Sequence, residues 1–139
     1  MPVPLFIEAL EVADRVAGRG DGALSWKIGH FTASRESGPV RAFASRLLGP
    51  AVITSMAAGL WGVHYRSAGR AVARAEGPTT MVVSIIDFPT PNPAHCQALG
   101  GWMQGALEIG RRTGIRVEER ACRCTGAPTC DFRISWTAG

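Results

Sequence analysis

The stretch Ile115–Trp136, IRVEERACRCTGAPTCDFRISW, decides how the rest of the chain is read. Ile115, Val117, Glu119 and Ala121 alternate with Arg116, Glu118 and Arg120, and Cys130, Phe132, Ile134 and Trp136 alternate with Asp131, Arg133 and Ser135. That period of two predicts a pair of strands, each with one face turned to a core. The run Cys-Thr-Gly-Ala-Pro-Thr between them predicts a hairpin with a tight, irregular loop.

Upstream of this hairpin lies the clearest helix start in the chain. Pro89, Pro91 and Pro93 make a stiff connector, and Asn92 is placed to cap a helix whose first residue is Pro93. Cys96, Leu99, Trp102, Met103, Ala106, Leu107 and Gly110 then fall on one predicted face, with Arg111 and Arg112 at the negative helix end. Before the prolines, Thr79–Phe88 is rich in branched apolar residues on both faces, the pattern of a central strand. Trp61, Val63 and Tyr65 alternate with Gly62, His64 and Arg66, which predicts another strand continuing towards Arg74.

The first part of the chain is read as mainly helical. Residues 5–17 place Leu5, Phe6, Ala9, Leu10, Ala13, Val16 and Ala17 at helical spacing, and the run Gly-Arg-Gly-Asp-Gly that follows ends this helix. Leu24–Phe31 is ambiguous. Gly38-Pro39 opens a second helical stretch through Phe43, Leu47 and Leu48, which breaks near Gly49-Pro50, and a third short helix covers Val52–Leu60. The expectation is one α+β domain over residues 1–139, with N-terminal helices packed on an antiparallel sheet. Residues 1–60 form the helical part and residues 61–139 the sheet in β-β-α-β-β order.

A chain of 139 residues with 46% apolar content has material for one real core. No stretch reaches the roughly 20 apolar residues needed to cross a bilayer, and Glu8 and Glu11 interrupt the start where a secretory leader would be apolar. The chain is therefore expected to be soluble and cytoplasmic. The net charge of +4 comes from 15 basic against 11 acidic residues, but the arginines are scattered and not gathered into a stripe with aromatics. That argues against nucleic-acid binding.

All four cysteines lie in the last third of the chain. Without a leader, clustered cysteines point to metal or redox chemistry and away from a disulfide framework. Zinc favours a closed tetrahedral shell of thiolate and imidazole ligands, with carboxylate as a further choice. Cys122, Cys124 and Cys130 bracket the hairpin loop, and Cys96 lies in a first helical turn, where unpaired N–H groups favour a thiolate. Glu119 shares its strand face with Ile115 and Val117, so a core-facing hairpin aims this carboxylate inward, where a metal would compensate its burial. The candidate ligands are Cys96, Glu119, Cys122 and Cys130, with Cys124 as a substitute for Glu119. Strict alternation puts Cys122 on the face opposite Glu119, so a bulge near Ala121 is expected. The competing reading makes the cysteines small buried hydrophobes.

The stretch from about Pro89 to Trp136 resembles the 4-vinyl reductase domain family. The resemblance rests on Cys96, Gly100-Gly101-Trp102 and Gly105, Val117-Glu118-Glu119 leading into Cys122, Thr125-Gly126, and Cys130-Asp131-Phe132-Arg133-Ile134. The upstream part is similar only in the order of its elements. In similar sensory domains of aromatic-responsive bacterial regulators, three cysteines and a glutamate bind zinc, which implies Cys96, Glu119, Cys122 and Cys130 here; Cys124 departs from that pattern. The family is similar in fold to TRAPP-type transport-complex subunits and is placed near haem-dependent nitric oxide sensors. The resemblance implies a small-molecule-sensing or docking module, and some members are tied to tetrapyrrole metabolism.

The leading expectation is a non-catalytic domain that binds a small hydrophobic or aromatic ligand, with structural zinc, signalling through a homodimer or a partner protein. Trp61, His64, Tyr65 and Trp102 are the candidate pocket residues, because indoles, a phenol and an imidazole can recognise a flat ring. Against them stands the commoner role of such side chains as plain core. A TRAPP-like docking module is the rival. Catalysis is not expected: no nucleophile with an adjacent base stands out, and His95 and Cys96, neighbours on a helix, point about 100° apart. If haem binds, His30, His64 and His95 are the candidate axial ligands.

Overall fold

A computed structural model describes residues 3–36, 49–65, 68–108 and 114–137. Among these, four α-helices accompany one four-stranded antiparallel sheet, an α+β architecture. The elements are α1 (Val3–Ala17), α2 (Ala23–Glu36), α3 (Pro50–His64), β1 (Arg70–Gly77), β2 (Thr80–Ile86), α4 (Pro93–Glu108), β3 (Arg116–Ala121) and β4 (Cys130–Ser135). The spatial strand order is β1-β2-β4-β3. The expected helix through Phe43, Leu47 and Leu48, together with Gly110, Arg111 and Arg112, falls outside the described residues.

β2 is an inner strand, as its two-sided apolar pattern predicts: Met81, Val83 and Ile85 are buried on one face, Val82 and Ser84 on the other. Val83 lies opposite Phe132, and Val117 opposite Ile134. These side chains join Ile85, Cys96, Leu107 and Ile115 in the main core. On the outer face Val82 is flanked in register by Arg74 and Arg133. Arg120 clasps Glu76 there through two bonds of 2.8 and 2.9 Å, a solvated network of modest stabilising effect.

Two readings of the sequence are corrected. Trp61–His64 is not strand but the last turn of α3, closed by the Tyr65 N–H donating to the Trp61 carbonyl at 2.8 Å. Trp61 and Tyr65 are four residues apart, so a helix stacks their rings at 4.0 Å, a contact that a strand would lose. The mainly helical part therefore extends to His64, α3 exceeds the expected Val52–Leu60 at both ends, and the sheet begins at Arg70.

The second correction concerns α1. Its buried stripe runs through Ile7, Leu10 and Asp14, while Leu5 and Val16 are exposed. The rotation has a polar cause. Asp14 Oδ2 accepts from the Gly22 N–H at 3.0 Å, and the Asp14 carbonyl accepts from Gly18 and Gly20, so this residue organises the turn into α2 from inside.

The ambiguous segment Leu24–Phe31 is helix α2, pressed against α4 with almost no side chain between them. A Cβ on Gly29 would lie 1.9 Å from the Ala98 carbonyl oxygen, and one on Gly101 would lie 2.0 Å from that of Trp26. Such an approach is open only to glycine. It holds α4 between α2 and the sheet and thereby fixes the position of Cys96.

Candidate metal centre

The Asn92-Pro93 start forms as expected, with Asn92 Oδ1 accepting from the Ala94 N–H at 2.8 Å. It places Cys96 in the first turn of α4, buried and facing the sheet with Leu99 and Leu107. Cys122 ends the hairpin's first arm and caps a 3-10 turn over Arg123–Thr125, its sulfur accepting from the Cys124 N–H at 3.3 Å. Cys130 opens β4, and its sulfur accepts from the Arg123 N–H at 3.4 Å. The sulfurs of Cys96, Cys122 and Cys130 all lie within 4.8 Å of one another, and all three residues are buried.

This geometry fits a metal. The Cys96 and Cys122 sulfurs are 3.9 Å apart, close to the ~3.8 Å that two thiolates on one tetrahedral zinc adopt from Zn–S bonds of about 2.3 Å. The cysteines are free thiols, not disulfides. Glu119 lies opposite Phe132, a core residue, so its carboxyl points inward. The expected bulge is present, as a register shift between Glu119 and Ala121 that lets Glu119 and Cys122 turn to the same side. Glu119 Oε2 is buried without a hydrogen-bond partner, which leaves a carboxylate oxygen in need of a proton or a cation. Cys124 is exposed, and both it and the Glu119 carboxylate lie outside the group whose ligand atoms are all within 4.8 Å of one another.

The electrostatics describe three thiols sharing too much negative charge. Hydrogen bonding from Cys96 lowers the Cys130 thiol to about 6, helped by the Arg123 N–H against burial. The same hydrogen bond, and then burial, raise the Cys96 thiol, and burial pushes Cys122 up to about 12. Burial raises the Glu119 carboxyl, opposed by hydrogen bonds from the Cys96 and Cys122 thiols. Without a cation one thiolate is stable; with one, all three can ionise.

Beside the thiols lies an aromatic cluster. Phe88 stacks on His95 at 4.8 Å and meets Trp61 and Tyr65 edge-on, each at 6.0 Å, while Phe6 meets His95 edge-on at 6.3 Å. The Tyr65 hydroxyl and His95 Nε2 are hydrogen-bonded at 3.0 Å, and the Trp61 indole N–H donates to the Ala68 carbonyl. Of the candidate pocket residues the structure thus brings Trp61 and Tyr65 together. Trp102 is half-buried on α4, and the His64 side chain lies outside the described residues. Of the candidate axial ligands, His30 is 2.7 Å from Glu108 on the surface, and His95 is enclosed in the cluster. Phe88, His95 as a partner of Tyr65, and Arg123 were not singled out by the sequence. Only the four-residue spacing of Trp61 and Tyr65 hinted at the cluster.

Burial lowers His95 to about 4, so it is neutral when folded. A group with a depressed folded pKa supports the fold above its unfolded value, about 6.5, and loses that support as pH falls towards 4. Metal-free protein is therefore expected to lose roughly 3 kcal/mol between these limits through this residue. Urea unfolding at pH 7 and pH 4 checks it: the pH-dependent loss should shrink by about that amount in His95→Gln.

No family model matches the sequence, and no curated protein matches it. Solved structures do. A trafficking protein particle complex subunit 3 from Naegleria fowleri, covalently bound to palmitic acid, is 14% identical with a TM-score of 0.65, over 96% of this chain and 94% of that one. The H-NOX domain from Shewanella oneidensis in its Fe(II)CO state is 16% identical with a TM-score of 0.64, over 96% and 75% of the two chains. An H-NOX protein from the same organism in its Fe(II)NO state is 17% identical with a TM-score of 0.61, over 99% and 77%. Among the described residues no helix is long and apolar enough to cross a membrane. At these identities the likeness is one of fold, and the chain has the α+β fold that TRAPP subunits and H-NOX domains share.

Proposed function

We propose that this chain is a non-catalytic, small-molecule-binding sensory domain of the 4-vinyl reductase type, in which Cys96, Glu119, Cys122 and Cys130 hold a structural zinc ion. The observation that carries the reading is the meeting of three buried sulfurs within 4.8 Å of one another, with the Glu119 carboxyl turned towards the same core. Three thiolates and a carboxylate complete a tetrahedral shell and leave no position for a reacting water, hence a structural metal and no catalysis. Zinc is preferred to haem because the buried His95 is already held by Tyr65 and stacked on Phe88. A small hydrophobic or aromatic ligand is assigned to the surroundings of Trp61, His64, Tyr65 and Trp102, with output through a homodimer or a partner protein.

Elemental analysis of purified protein tests the metal. One zinc per chain is expected in the parent and in Cys124→Ala, and less than a tenth of that in Cys122→Ala. Zinc retained by Cys122→Ala but lost from Cys124→Ala would move the site onto the exposed thiol.

A docking module is the second reading, supported by Leu5, Val12 and Val16, which are exposed along one side of α1. Light scattering after size exclusion tests this surface: if it joins copies of the chain, Val12→Glu is expected to yield monomers where the parent is a dimer, and an unchanged mass removes the surface from the account.

A further inference from the structure

We infer that Arg123 is a positioning residue that couples the thiol site to the aromatic cluster, an inference that rests on the zinc reading above. Its backbone N–H donates to the Cys130 sulfur at 3.4 Å. Its guanidinium reaches away from the loop and donates, through Nη1, to the Phe88 carbonyl. The Phe88 ring stacks on His95, and His95 is the residue before Cys96. The path Cys130, Arg123, Phe88, His95, Cys96 therefore closes a ring whose two ends are candidate ligands of one ion and whose middle is the hub of the aromatic cluster.

Two physical consequences follow from this arrangement. A zinc ion with three thiolates and one carboxylate carries a net charge of −2, and the partly buried Arg123 is a cation built into the ligand loop itself. Drawing the sulfurs together also moves the two ends of the ring relative to each other, and Phe88, gripped at its carbonyl by one end and at its ring by the other, takes up the change. If zinc binding shifts Trp61, Tyr65 or Phe88, a ligand that favours one arrangement of these rings changes zinc affinity by the same factor by which zinc changes its own. Arg123→Ala keeps the backbone N–H to Cys130 and removes the grip on Phe88 and the nearby cation; outer partners of metal sites commonly alter affinity by about 10- to 100-fold when removed.

The test uses the full chain as parent, Arg123→Ala and Arg123→Lys, with Arg116→Ala as a control that removes an equal charge from an exposed position paired with Glu118. Zinc affinity is measured by competition with a chromophoric chelator, and the aromatic cluster is followed by near-ultraviolet circular dichroism with and without zinc. Arg123→Ala is expected to bind zinc at least tenfold more weakly and, at saturating zinc, to lose most of the dichroism change that the parent shows. Arg123→Lys, which keeps a charged donor, should recover affinity to within about threefold, and Arg116→Ala should match the parent. Should the alanine variant not fold, Arg123→Met, which keeps length but neither charge nor donor, is read by the same measurements. Affinity within twofold of the parent, or an undiminished dichroism change, overturns the role of Arg123 while leaving zinc binding intact. A parent without zinc overturns both.

Discussion

Removing the metal with a chelator at pH 7.5 is expected to lower the thermal midpoint by roughly 10–20 °C, the largest effect available without changing the sequence. The size follows from mass action. Free zinc at a thousand times its dissociation constant stabilises the folded state by about 4 kcal/mol, and unfolding of a domain this size gives up a few degrees per kcal/mol. The loss should fall on the junction of α4 with the β3–β4 hairpin, because the candidate ligands come from those elements and no disulfide replaces the metal. The pH dependence supplies an independent check. Near neutrality Cys96 and Cys122 carry protons, their thiols being raised by hydrogen bonding and burial, while the Cys130 thiol at about 6 is already ionised. Zinc must displace about two protons, so its affinity should rise about 100-fold per pH unit between pH 6.5 and 8. Competition with a chelator of known affinity across that range measures the slope. A midpoint unmoved by chelation, or an affinity flat in pH, would remove the thiolates from the account.

The parts of this molecule that could be read from sequence are those decided by neighbours. The hairpin alternates over six or seven residues in each arm, and the Asn92-Pro93 start depends on side chains within two residues of each other. The bulge was legible for a different reason: Ile115 and Val117 fix the parity of Glu119, and three residues from Glu119 to Cys122 cannot keep both inward without an extra residue in the strand. The failures have causes as definite. Trp61, Val63 and Tyr65 satisfy a period of two, while Trp61 and Tyr65 also satisfy a spacing of four, and only packing against Phe88 and His95 separates the alternatives. Helix α2 shows little apolar periodicity because the side it buries is made of Ser25, Gly29, Ala33 and backbone. The burial of Asp14 has no local signal, because nothing nearby in the sequence shows that its carboxylate will hold the Gly22 amide. Arg123 was invisible because its acceptor, the Phe88 carbonyl, lies 35 residues away.

The same logic makes Gly101, like Gly29 across the same helix contact, a position where a single methyl group should do great harm. Replacing a helical glycine by alanine ordinarily stabilises a helix by up to about 1 kcal/mol, because alanine has less backbone freedom to lose. At Gly101 the sign should reverse. The added Cβ would lie 2.0 Å from the Trp26 carbonyl oxygen, and that atom belongs to the backbone of α2, which cannot rotate aside as a side chain would. Relief requires α2 and α4 to separate, which opens the contact along Gly29 and Ala98 as well. We expect Gly101→Ala to destabilise the protein by about 3 kcal/mol, and Gly101→Val, whose branched side chain adds two more methyl groups, by at least ~4 kcal/mol. Because α4 carries Cys96 in its first turn, the alanine variant should also bind zinc more weakly, a readout that a purely local strain would not move. Gly59→Ala is the internal control: this glycine is also helical, on α3, but a Cβ there meets nothing within 4 Å, so the ordinary sign should hold. Urea unfolding of the three variants beside the parent decides it. If Gly101→Ala proves as stable as Gly59→Ala, the two helices are not in backbone contact, and the placement of Cys96 against the hairpin loses its support.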